Sequence, residues 1–172
     1  MSQNINNKNT QNYIRMKTQT QILSFFFFLT AFSLISCNQG PVFEKYTKMK
    51  DATWDRFSMK LLEFPVQEAD KSYDISLVVR NTAGFQYDKL PVYIIFTTPS
   101  GEERMREVNI AIRENGKMLG IAKNNHFEVT TVLWKEINLA DKGNCKISIE
   151  NIIPKIQTIG IDEIGIVVTK SK

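Results

Sequence analysis

Few residues in this chain have the type and spacing that chemistry requires. Cys37 is one of them. It closes Leu34-Ile35-Ser36-Cys37, with a branched apolar residue three positions before it and a small residue immediately before it. That is the pattern of a bacterial lipobox. The cysteine sulfur takes a diacylglycerol as a thioether, and cleavage on its N-terminal side frees an amine for a further acyl chain. Two or three chains anchor stably, because each buried methylene contributes about 0.8 kcal/mol. The other cysteine, Cys145, opens an apolar alternation, Gly143-Asn144-Cys145-Lys146-Ile147-Ser148-Ile149. With no histidine or second cysteine near it in sequence, it reads as a small buried hydrophobe rather than a reactive thiol. His126 is the single histidine and reads as a solvated loop residue in Lys123-Asn124-Asn125-His126-Phe127. A general base there would need a nucleophile, and no Gly-x-Ser-x-Gly turn accompanies it. The carboxylate pairs Glu102/Glu103, Asp162/Glu163 and Asp70/Asp74 offer glycoside chemistry only if two carboxyls sit about 5–10 Å apart in a cleft. They fit turn and rim charges better.

Other chemistries are excluded more firmly. One histidine rules out a multi-histidine metal site, and no Asp-x-Asp-x-Asp-Gly calcium loop is present. Gly84, Gly101, Gly116 and Gly120 are scattered singly, so no glycine-rich phosphate loop forms. No metal or cofactor is expected. Two cysteines cannot build a disulfide scaffold. The 22 basic and 18 acidic residues leave a net charge of +4. No Lys/Arg cluster or recognition motif points to nucleic acid.

The elements that would position these residues begin with an address. Residues 22–36 are apolar and uncharged, and Arg15 and Lys17 precede them. A positive segment followed by a short apolar core is a secretory signal peptide. At about 1.5 Å per residue this stretch falls short of a ~30 Å hydrocarbon layer. The expected organisation is a lipoprotein signal peptide over 1–36, a lipidated tether over 37–44 and one domain over 45–172. Met16-Lys17-Thr18 is itself an ordinary signal-peptide opening, so Met16 is a second candidate start and residues 1–15 a candidate start-site artefact. Lys8, Arg15 and Lys17 leave with the signal peptide and no acidic group does, so the net charge falls from +4 to +1. The basic balance therefore says little about partners.

Past the tether the apolar period is two, the signature of half-buried strands. Phe57, Met59 and Leu61 alternate with Ser58 and Lys60. Tyr73, Ile75, Leu77 and Val79 follow, then a continuous run from Leu90 to Thr98, as in a strand covered on both faces. Further alternations run through Val108–Ile112, Phe127–Leu133, Ile147–Ile149 and Ile164–Val168. Val129–Ile137 is a weak helix candidate whose β-branched content favours strand. Turn signals separate the runs, with Pro99-Ser100-Gly101-Glu102 and Asn115-Gly116 as hairpin linkers. About seven or eight short strands predict an all-β, antiparallel two-sheet sandwich of jelly-roll or immunoglobulin type. Trp54 and Phe57 are expected in its core. Phe85 and Tyr87, flanking Gln86 in a loop, are the candidates for exposed aromatic contacts.

Several segments together resemble the GldH family of gliding-motility lipoproteins from Bacteroidota. Val42-Phe43-Glu44-Lys45-Tyr46 follows the lipobox, and a lone Trp54 precedes the strand bearing Phe64. Tyr73 through Leu77-Val78-Val79-Arg80-Asn81 is similar to the family's Tyr…Leu-x-x-Arg-Asn segment. Phe85-Gln86-Tyr87-Asp88-Lys89-Leu90 is similar to its tyrosine-bearing hairpin. Gly116-Lys117-Met118-Leu119-Gly120 resembles a Gly-x-Trp-Leu-Gly turn, with Met118 in place of tryptophan. Ile149–Ile152 and Ile159–Gly165 resemble a C-terminal strand pair, with Pro154 in place of an arginine. The resemblance covers residues 37–169.

The resemblance implies an outer-membrane lipoprotein with no catalytic residues. It further implies an assembly or scaffold component of the gliding machinery and the associated type IX secretion, partnered by other envelope proteins of that apparatus. Phe85, Tyr87 and Met118 are then the candidate partner contacts. No acidic run follows Cys37, and surface-exported lipoproteins of these bacteria resemble one another in carrying one, so the periplasmic face is expected. Two other readings compete. A carbohydrate-binding lipoprotein would present exposed aromatics, Phe85 and Tyr87 first. A hydrolase would bring His126 or a carboxylate pair into a concave site.

Overall fold

A computed structural model describes residues 40–171. The signal peptide, with Leu34, Ile35 and Ser36, and residues 37–39 of the tether, Cys37 among them, lie outside the described residues. Strand structure opens at Phe43, inside the expected tether.

Thirteen strands follow in chain order among the described residues. They are β1 (Phe43–Lys48), β2 (Thr53–Asp55), β3 (Lys60–Val66), β4 (Lys71–Asn81), β5 (Lys89–Thr97), β6 (Glu103–Ala111) and β7 (Arg113–Glu114). The rest are β8 (Lys117–Met118), β9 (Ile121–Lys123), β10 (His126–Leu139), β11 (Gly143–Asn151), β12 (Gln157–Ile159) and β13 (Ile161–Lys170). Nine build two antiparallel sheets, ordered β1-β13-β4-β10-β9 and β3-β11-β5-β6. The remaining four form two short ribbons, β2-β12 and β7-β8. The all-β sandwich is as expected. The helix candidate at Val129–Ile137 lies within β10, where β-branched side chains suit a pleated surface better than a helical turn.

Alternation decides which face of each strand is buried. Tyr73, Ile75, Leu77 and Val79 of β4 meet Leu62, Phe64 and Val66 of β3, Leu90, Val92, Ile94 and Phe96 of β5, and Cys145, Ile147 and Ile149 of β11 in one core. Four rings cross between the sheets. Phe43 meets Phe64 at 5.9 Å, Phe64 stacks on Phe96 at 6.3 Å, and Phe96 tilts against Trp134 at 5.1 Å. Each such pair adds about 0.5–1.5 kcal/mol beyond its buried area. β10 carries two register irregularities flanking Trp134, and Glu136 takes a positive φ of 54°. The bulge turns adjacent Leu133 and Trp134 both toward the core, which strict alternation would forbid.

Phe57 departs from expectation. It was expected in the core, yet it is 83% exposed, and Met59 and Leu61 are exposed with it. The phase of the alternation slips between Leu61 and Leu62. From Leu62 onward the even-numbered residues face inward, so the earlier odd-numbered set must face out.

Both expected hairpins form. Thr98 N–H donates to the Glu102 carbonyl at 2.9 Å across the β5–β6 turn, and Asn115 and Gly116 take φ values of 49° and 76° between β7 and β8. Gly160 is more constrained. Its φ is 95°, and a Cβ there would run into the Phe85 backbone. Gly101 has a φ of 89° with open space around it. Gly160→Ala should therefore cost several kcal/mol, about 3, by adding a backbone clash to the conformational strain, whereas Gly101→Ala should cost about 1. Urea unfolding midpoints of the two variants check this, and equal losses would contradict the packing assigned to Gly160.

Candidate functional site

The densest polar arrangement lies on the outer face of the five-stranded sheet, and sequence reasoning missed it. Arg80 sits on the central strand β4, directly opposite Glu128 of β10 and Glu163 of β13. Its Nε donates to Glu128 at 2.9 Å and its Nη1 to Glu163 at 2.5 Å. Lys123 of β9 reaches the other oxygen of Glu128 at 2.7 Å. Tyr46 of β1 completes the row, with the Arg80 guanidinium 3.9 Å from its ring centroid. The ring lies over Gly165 of β13, where any Cβ would collide with it. One residue from each of the five strands thus takes part.

The groups of this row are partnered. Burial works to lower the Arg80 pKa, but its hydrogen bonds to Glu128 and Glu163 prevail and raise it. Lys123 holds the Glu128 carboxyl below its ordinary range against the opposing effect of burial, and Arg80 adds to this. Burial, with help from Glu44, pushes Tyr46 up to about 12. A base needs a free lone pair near neutral pH and an acid needs a loose proton. Glu128 and Arg80 are shifted away from that condition. Fully partnered, the row ties strands together rather than moving protons.

The residues expected to carry contacts are brought together at one end of the sandwich, but not as an open row. Phe85 is wholly buried, with its ring edge-on to Tyr87 at 5.6 Å. That corrects the expected exposure of Phe85. The Phe85 N–H donates to the Thr82 carbonyl at 3.1 Å, and Gly160 presses on its backbone, so the loop folds inward. Tyr87 and Met118 are half-buried against the core. Arg113 Nη2 donates to the Phe85 carbonyl at 2.7 Å and reaches Met118 Sδ at 3.4 Å.

The remaining candidates are dispersed. Cys145 is fully buried, and burial pushes its thiol up to about 12, which leaves no thiolate for nucleophilic attack. His126 opens β10 instead of lying in a loop. Among the described residues its Nε2 has no hydrogen-bonding partner, and neither do the amide atoms of buried Asn81. Glu102 pairs with Arg104, Glu163 with Arg80, and Asp74 accepts from Ser171 Oγ at 2.6 Å and from the Glu136 N–H at 2.7 Å. No group of three His, Cys, Asp or Glu among the described residues could hold a metal. No described helix is long and apolar enough to cross a membrane.

The row makes a pH prediction. The Glu128 carboxyl is held below its ordinary glutamate value in the folded state, so its stabilisation is fully present above that ordinary value and is lost as pH falls through the folded one. Glu128→Gln should be less stable at pH 7, because it removes an anion between Lys123 and Arg80. It should also lose less stability than the parent as pH falls below the ordinary glutamate range, because the parent alone loses the Glu128 contribution there. Urea midpoints across this range check it. Parallel curves would show that Glu128 carries no linked stability.

A family model described as GldH lipoprotein matches residues 41–168. The chain is 24% identical over 145 residues to the gliding motility lipoprotein GldH of Flavobacterium johnsoniae, covering 80% of this chain and 89% of that protein. It is also 24% identical over 164 residues to a GldH homolog of Christiangramia forsetii, covering 91% and 99%. Among solved structures, a CBM35 from Cellvibrio japonicus Abf62 aligns at a TM-score of 0.36 and 12% identity, over 80% of this chain and 94% of that one. A likeness that weak carries no functional argument. The matched span runs through both sheets and both ribbons, and this chain belongs to the GldH lipoprotein family.

Proposed function

We propose that this chain is a lipid-anchored, non-catalytic assembly component of a gliding-motility apparatus and its associated type IX secretion. Cys37 carries the acyl chains and holds the domain at the periplasmic face of the outer membrane. The observation that carries the reading is the family match across residues 41–168, since both full-length relatives are named as gliding motility lipoproteins. The site geometry supports the non-catalytic part. Arg80, Glu128 and Glu163 are bound to one another, and Cys145 is sealed in the core. The partners are other envelope proteins of the same apparatus. The carbohydrate-binding alternative loses its first candidate, because Phe85 offers no exposed ring to stack against a sugar.

Affinity isolation of the tagged, lipidated protein from gently solubilised envelopes tests this. Motility or type IX secretion components should copurify and should be lost when Cys37→Ala removes the anchor. Recovery of the protein alone would overturn the assembly reading and make a glycan screen the next step.

A further inference from the structure

The turn after β2 holds an aromatic ring out into solvent. The Ser58 N–H donates to the Asp55 carbonyl at 2.9 Å, which places Arg56 and Phe57 at the two corners of a four-residue turn. From inside, buried Trp54 donates its Nε1 proton to the Ser58 carbonyl at 2.8 Å. From the side, the Arg56 N–H donates to the Ile156 carbonyl at 2.9 Å and joins the turn to the segment leading into β12. Lys60 Nζ adds a bond to Ser58 Oγ at 2.8 Å. The turn is therefore braced on three sides. Phe57 on the turn and Ile156 on the adjoining segment are among the most exposed large apolar side chains described, at 83% and 76%, and Met59, which follows the turn, is 56% exposed. Arg56 lies 5.9 Å from the Phe57 ring centroid.

We infer that the Asp55–Ser58 turn is a docking knob, and that Phe57 inserts into an apolar pocket rimmed by Asp and Glu on a protein partner. Aromatic residues and arginine dominate binding hot spots, and a ring already fixed in place loses little entropy on binding. The charge around the knob selects the rim of the pocket. Among the described residues Arg56, Lys60 and Lys155 form no ion pair, and these three cations outnumber the turn's own carboxylate, Asp55, which accepts from Gln157 at 3.0 Å and keeps its charge. The bracing favours a protein over the bilayer: a ring fixed in one orientation on three sides suits a formed pocket, whereas a fluid bilayer gains nothing from that fixed orientation.

The test is a photo-crosslinking amino acid placed at Phe57 in the full lipidated chain, in envelopes of the native organism, with Val132 as an equally apolar exposed control. The expected result is one identified protein adduct from position 57, mapped to an apolar peptide flanked by carboxylates and absent from position 132. Purified with that protein, Phe57→Ala should weaken binding about thirtyfold and Phe57→Leu much less. Since the side chain is exposed, Phe57→Ala should leave the unfolding midpoint unchanged. No adduct, equal labelling from both positions, or a lipid adduct from position 57 would overturn the inference. Sedimentation of the unlipidated Cys37→Ala chain with phosphatidylglycerol vesicles, lost on Phe57→Asp, would overturn it as well. An adduct to a protein outside the motility apparatus keeps the knob and removes the proposed function. Copurification of motility components that survives Phe57→Asp does the reverse.

Discussion

The five-stranded sheet depends on how Arg80 is satisfied. A guanidinium that is largely withdrawn from water is costly unless its donors meet acceptors. Here the central strand supplies the cation, and each flanking strand supplies a carboxylate from the position directly opposite. A slip of either neighbour by one residue would leave the charge unpaired and would also turn that strand's apolar set out of the core. Electrostatics and burial therefore specify the same register. Tyr46 and Lys123 extend the arrangement to the two edge strands, and Gly165 is the position that lets the Tyr46 ring lie down on the sheet.

The end of the sandwich farthest from the chain's entry is tied by polar contacts within the core. Asn151 Nδ2 donates to Thr158 Oγ1 at 2.6 Å, and its Oδ1 accepts from the Ile153 N–H at 3.0 Å, all of them buried. Those bonds hold the segment before β12 against the sheet. Trp54 does the same for the turn after β2, and Gly160 for the loop carrying Phe85. The outcome is a closed, rigid end in which Phe85, expected outside, is buried, Tyr87 is half-buried and Phe57 is held outside.

Some of this was legible in the residue order and some was not. Alternation and turn chemistry are local, so the β content, the hairpins at Ser100-Gly101 and Asn115-Gly116 and the buried character of Cys145 and Trp54 could all be read directly. The lipobox is equally local, a run of four residues ending at Cys37. The class of fold is what the sequence by itself determined, and the address at Cys37 is an expectation read from the same residue order, outside the described residues. The signs of the errors are informative. Phe57 and Phe85 each follow the rule for their segment, and each lies on the opposite side of the surface from what the segment implies. Phe57 is reversed by a phase slip at Leu61–Leu62, and Phe85 by the close approach of Gly160, which is 75 residues away in number. Arg80, Glu128 and Glu163 are likewise far apart along the chain, and nothing in their immediate neighbours marks them as partners. Only the tertiary structure decided these points, because burial and pairing across strands depend on which distant segments meet, and local periodicity carries no information about register between them.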